Sequence, residues 1–180
     1  MIFVFYHYMG KTLGWPSLRQ WFVFTRGKIL MYCFLAPIVI AACWAGLAAL
    51  AYWLFGDLPE IPQSQYMPSG VAQIPLSILT AVIVGPASEE LFFRGVVFVW
   101  LRARLSLLVS ILLTSLIFAL LHDNHFSLGP VSIFPFCERF GMGVGTALLA
   151  QHFRSLAPGY ALHIGWNLVA VLVAVLSTVS

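Results

Sequence analysis

The sequence predicts an all-α fold, a polytopic transmembrane helix bundle with about five membrane-spanning helices plus an N-terminal interfacial or short membrane segment. Three observations predict it. Of the 180 residues, 61% are hydrophobic and only 8% charged, against roughly 25% charged in an ordinary soluble domain. Several apolar stretches each reach the roughly 20 residues that a helix needs to cross a hydrocarbon layer. The connections between them are short, and basic residues gather at their ends.

Residues 1–28 read as an N-terminal interfacial segment. Met1 to Tyr8 is apolar, with no basic region before it and no small-residue cleavage site after it, unlike a secretory signal, so it is expected to stay attached. Lys11, Arg19, Arg26 and Lys28 then alternate with Trp15, Trp21, Phe22 and Phe24, a composition suited to the headgroup level. The first span runs from about Ile29 to Phe55, and its basic leader and acidic follower (Asp57, Glu60) place the N-terminus in the cytoplasm. The later spans are about Ile74 to Leu101, Leu105 to His122, Phe134 to Phe153 and Leu156 to Val179. Gly141, Gly143 and Gly145 permit close helix approach in the fourth. Residues 29–180 form one bundle, without repeat, linker or low-complexity tract.

Other classes are excluded by composition. A charge of +3 from nine basic and six acidic residues is too small and too scattered for a nucleic-acid footprint. Cys33, Cys43 and Cys137 are odd in number and lack CxxC spacing, so they read as small core residues, not disulfides or thiolate ligands.

The second span holds residues that an apolar helix should not. Gly85-Pro86-Ala87-Ser88-Glu89-Glu90-Leu91-Phe92-Phe93-Arg94-Gly95 carries three charges, each costing roughly 2.5 to 3.5 kcal/mol at the bilayer centre. Glu90 and Arg94 stand i, i+4 with the acid first, the favourable order for a pair. Glu89 points about 100° away and needs a wet cavity or polar groups from other helices. A general base has that requirement, and so has a purely structural kink at Pro86.

Two other spans supply such groups at helical spacing. Phe118 and His122 share one face of the third, and His163 and Asn167 share one face of the fifth. Either histidine alone fits a packing role as well as a functional one. His7, Asp123, His125, Gln151 and His152 fall in ends and turns, where solvated or interfacial roles are expected. Glu138 and Arg139 are adjacent, so they cannot share one helix face, and fit an interfacial position or a contact with a neighbouring helix.

In order and spacing, Glu89-Glu90-x-x-x-Arg94, Phe118-x-x-x-His122 and His163-x-x-x-Asn167 resemble the CAAX prenyl endopeptidase and bacteriocin-processing (CPBP or ABI) family of intramembrane proteases, with the motif-bearing core at 74–179. The resemblance implies a glutamate-dependent peptidase. In it Glu89 and His122 activate water, His163 and Asn167 stabilise the oxyanion, and Glu90, Arg94 and Phe118 support the site. No cofactor is favoured. If zinc were present, Glu89, His122 and His163 would hold it, but the chain has no HExxH pair, nor the Gly-x-Ser or Gly-x-Gly-Asp patterns of other intramembrane proteases.

The expected partners are the lipid bilayer and a membrane-anchored protein or peptide substrate, with no nucleic acid. The expected place is a prokaryotic cell membrane. Prenylated CaaX proteins, bacteriocin precursors and proteins with C-terminal sorting tails all suit the family, and the chain's own end, Ser177-Thr178-Val179-Ser180, is not a CaaX box. The rival readings are a non-catalytic scaffold or immunity protein of the same fold and a transporter, which would show an inverted repeat. One expectation sits awkwardly. Straight helices at 1.5 Å per residue put Glu89 about 20 Å from the basic end of its span and His163 about 14 Å from Arg154, with His122 at the far end of its own helix.

Overall fold

The computed structural model describes residues 31–56, 73–122 and 130–179. The expected interfacial segment 1–28, with His7, and the turn carrying Asp123 and His125 lie outside them. Among the described residues the chain is helical without strands, in five runs. Helix α1 is a π-helical stretch, Met31–Leu35, leading into Ala36–Phe55. It is followed by α2 (Ile74–Arg102), α3 (Leu107–His122), α4 (Pro130–Phe153) and α5 (Ala157–Val179). The bounds follow the expected spans closely except in α4, which begins at Pro130 instead of Phe134. Proline is favoured in the first helical turn, where its missing N–H has no partner to lose.

Helix α2 is long and apolar enough to cross a membrane, and α3 is a shorter apolar helix. The 29 residues of α2 would span about 43 Å if straight, more than a hydrocarbon core of about 30 Å. It is not a uniform α-helix. Two π-helical stretches, Leu79–Val84 and Phe93–Phe98, flank the α-helical Gly85–Phe92, and π turns are common at functional sites.

Burial on α3 is inverted relative to a soluble protein. Ser110, Thr114 and Ser115 are fully buried, whereas Leu108 is 66% and Leu121 64% exposed. A lipid-facing helix behaves this way, since hydrocarbon does not repel leucine and small polar residues let helices approach. The buried hydroxyls of Ser110 and Ser115 donate back to the carbonyls of Ser106 and Ile111. Of the three α4 glycines, Gly143 makes the close approach. A Cβ there would stand 2.9 Å from both Cα and Cβ of Ser115, while one at Gly141 meets nothing and one at Gly145 only touches Leu162.

Helices α2 to α5 run antiparallel in sequence order. Ile111 packs with Ala147 and Phe118 with Met142 across α3 and α4, and Phe98 with Ile111 and Phe93 with Phe118 across α2 and α3. Arg102 and Arg104, at the end of α2, and Arg154, at the end of α4, therefore come to one end of the bundle. Helix α5 packs on α1, α2 and α4. Its first turn is already inside, with Leu156 and Ala157 buried and Leu156 packed with Ala150, Leu91 and Val96.

That placement resolves the mismatch in depth. Glu89 is thirteen residues from Arg102 and His122 fifteen from Leu107, so in antiparallel neighbours joined by a short turn they differ by only about 3 Å in height. His163 gains the height it lacked because α5 starts at the level of Leu91–Val96 and not at the bundle's end.

Candidate active site

The site is built where α2, α3, α4 and α5 meet. On α2, Glu90 and Arg94 form the expected i, i+4 pair, with Nη1 of Arg94 3.3 Å from Oε1 of Glu90. Both are sealed, at 1% and 0% exposure. Arg94 also donates from Nη2 to the carbonyl of Gly143 at 3.2 Å, and its guanidinium lies 4.7 Å over the ring of Phe118. One residue, Gly143, thus lets α3 approach and offers α2 an acceptor. Gly159 does a similar service on α5, where a Cβ would stand 3.2 Å from Oε2 of Glu90.

Glu89 faces the other way, as the rotation of one residue requires. Its Oε2 lies 3.4 Å from Nε2 of His122 and 3.5 Å from Nε2 of His163. Both contacts are within ion-pair range, and neither is a well-formed hydrogen bond. The Glu89 side chain keeps 25% of its exposure and that of His122 29%, so this edge of the cluster is reachable while the Glu90 edge is not.

His163, buried, links the two carboxylates. Its Nδ1 is 3.1 Å from Oε1 of Glu90 and its Nε2 faces Glu89. His122 is held by its Nδ1, which donates to the carbonyl of Phe118 at 2.7 Å, leaving Nε2 for Glu89. Phe118 sits at the hub, its ring centroid 4.3 Å from that of His122 and 5.9 Å from that of His163, with Phe93 edge-on at 5.1 Å.

Asn167 lies one turn beyond His163 and has a backbone partner. Its Nδ2 donates to the carbonyl of Ala81 at 2.8 Å, a contact the motif spacing does not announce. Glu138 turns out to contact a neighbouring helix, lying against the indole of Trp166 on α5, and Arg139 is half-buried beside it. His152 is exposed and outside the cluster, and so is Cys137, which is therefore not the small core residue its sequence context suggests. Among the described residues no group of three or more His, Cys, Asp or Glu side chains is arranged to hold a metal ion. Glu89, His122 and His163 are held together by acid–base contacts, with each ring nitrogen of His163 facing a carboxylate oxygen.

Such an arrangement defines a class, a helical membrane protein built around an acid–base cluster with one sealed and one accessible carboxylate. Comparison with known proteins narrows it. The family described as type II CAAX prenyl endopeptidase Rce1-like matches residues 71–169, more than half of the chain and all of the residues just described, and the chain belongs to that family. It is also 32% identical over 115 residues to a Bacillus subtilis (strain 168) protein named "Putative membrane peptidase YdiL". That match covers 63% of this chain and 47% of the relative, so the chain spans about half the length of the curated relative it matches. No solved structure matches it.

Proposed function

We propose that the protein is an intramembrane endopeptidase that hydrolyses a peptide bond near a membrane-associated segment of a protein or peptide substrate, with Glu89 as general base. The observation that carries this reading is the position of Glu89 Oε2 between Nε2 of His122 and Nε2 of His163, at 3.4 and 3.5 Å, on the accessible edge of the cluster. A base must reach its proton, and Glu90, paired with Arg94 and sealed, cannot.

In the reaction, Glu89, oriented by His122, takes a proton from water as the water oxygen bonds to the scissile carbonyl carbon. The carbonyl π electrons move to oxygen, and that oxyanion is stabilised by Nε2–H of His163, whose 3.5 Å contact with Glu89 is loose enough to turn toward a better acceptor. The C–N bond then breaks, and the proton held by Glu89 passes to the departing amine. Asn167 would join the oxyanion site only by diverting its amide from Ala81. Phe118, Glu90 and Arg94 hold the frame, and no step requires a metal.

We place the core at 74–179 within a single bundle of residues 29–180 that crosses the membrane five times. The N-terminus is cytoplasmic, because Arg102, Arg104 and Arg154 share one end. The test is cleavage of membrane-anchored peptides by purified protein in lipid, comparing wild type with Glu89→Gln, with and without chelator. Cleavage that Glu89→Gln abolishes and chelator leaves intact supports the reading. Cleavage by a folded Glu89→Gln protein ends it, and no cleavage by wild type moves the weight to a scaffold or transporter.

A further inference from the structure

Pro86 stands in the middle of α2 and has no N–H to give the helix. The preceding residues are wound in π-helical register, and the N–H of Gly85 accordingly bonds to the carbonyl of Thr80, five residues back. The carbonyl of Ala81 thereby loses both helical donors. Gly85, its donor in an α-helix, is committed to Thr80, and Pro86, its donor in the π register, has no proton. An unpaired carbonyl at this depth is costly, since neither lipid nor packed apolar side chains can satisfy it. Asn167 supplies the missing donor from α5 at 2.8 Å. Two residues along the bend, the hydroxyl of Tyr160 donates to the carbonyl of Ile83 at 3.1 Å.

Tyr160, His163 and Asn167 stand at i, i+3 and i+7, one face of α5. The helix that carries His163 to the carboxylates thus also grips the backbone three and five residues before Pro86. We propose that Asn167 and Tyr160 are positioning residues that clamp the bend of α2 and so fix where Glu89 points. This rests on the peptidase reading for its effect on rate, though the clamp itself is a structural statement. Asn167 acts through the carbonyl of Ala81, and Tyr160 through that of Ile83.

The experiment is a cycle of Asn167→Ala against Pro86→Ala in the full chain, read by kcat and KM on a membrane-anchored peptide and by the thermal unfolding midpoint in detergent. The Pro86→Ala substitution restores an N–H that the π register directs at Ala81. Asn167→Ala is expected to lower kcat about tenfold when Pro86 is present, with KM little changed, and about threefold or less in the Pro86→Ala background, with the unfolding midpoint showing the same relief. Equal losses in both backgrounds, in kcat and in midpoint, overturn the clamp and make Asn167 a direct participant. Relief in the midpoint with no cleavage by any variant upholds the clamp and ends the peptidase reading. Should the Pro86→Ala variants not fold, Asn167→Asp removes the amide donor at nearly constant shape, and an unchanged kcat there overturns the proposal. Tyr160→Phe, which deletes one hydroxyl, is expected to lower kcat about threefold at unchanged KM, and an unaltered kcat removes Tyr160 from it.

Discussion

Glu89 and Glu90 are consecutive residues of the same type on the same helix, and the bundle treats them oppositely. Glu90 is enclosed by Arg94 and His163, with Gly159 close behind it. Glu89 meets two imidazoles at longer range and keeps a quarter of its exposure. The difference comes from one residue's rotation about a helix axis. Neighbouring carboxylates on one helix therefore need not share an environment, since one can be neutralised between helices while the next stays accessible.

Substitutions can break that contrast, and the largest effect is expected at the accessible member. Glu89→Gln should reduce turnover of a membrane-anchored peptide by about 10²- to 10⁴-fold, the usual worth of a general base, while folded yield and unfolding midpoint stay near wild type. On the sealed side the order reverses. Arg94→Ala leaves Glu90 buried without its cation and should cost about 3–5 kcal/mol, seen as lost monodisperse protein in detergent before any rate is measured. Glu90→Gln should lower folded yield in the same direction.

Smaller changes sharpen the comparison by testing the frame around it. Gly143→Ala forces a methyl to 2.9 Å from Ser115 and should cost about 1–3 kcal/mol, visible as a lower unfolding midpoint. The smallest effect is expected at Thr114, whose buried hydroxyl oxygen has no hydrogen-bond partner. Thr114→Val should be neutral or slightly stabilising, and a clear loss of stability would mean that the hydroxyl has a role in holding α3.

Much of this was legible in the sequence because helical spacing is local. The helices emerged from apolar length, the Glu90–Arg94 pair from its i, i+4 order, and the need of Glu89 for partners on other helices from its angle to Glu90. What spacing could not convey was height. A constant rise along straight helices left His163 too low, because nothing in Leu156 or Ala157 announces that α5 begins inside the bundle. The glycines of α4 looked alike, yet only Gly143 faces Ser115 closely, a matter of rotation about the axis. The partner of Asn167 was also missed. The signal was present in Pro86, which must strand a carbonyl somewhere, but which side chain would reach it depends on the π register of Leu79–Val84 and the path of α5.

The central claim is that Glu89, and not a bound metal or its sealed neighbour, starts the chemistry. The most direct measurement compares protein termini in membranes of cells producing wild type or Glu89→Gln at matched levels, with and without a chelator. New termini should appear with wild type, persist with chelator and vanish with Glu89→Gln. Termini that persist in the Glu89→Gln membranes would contradict it.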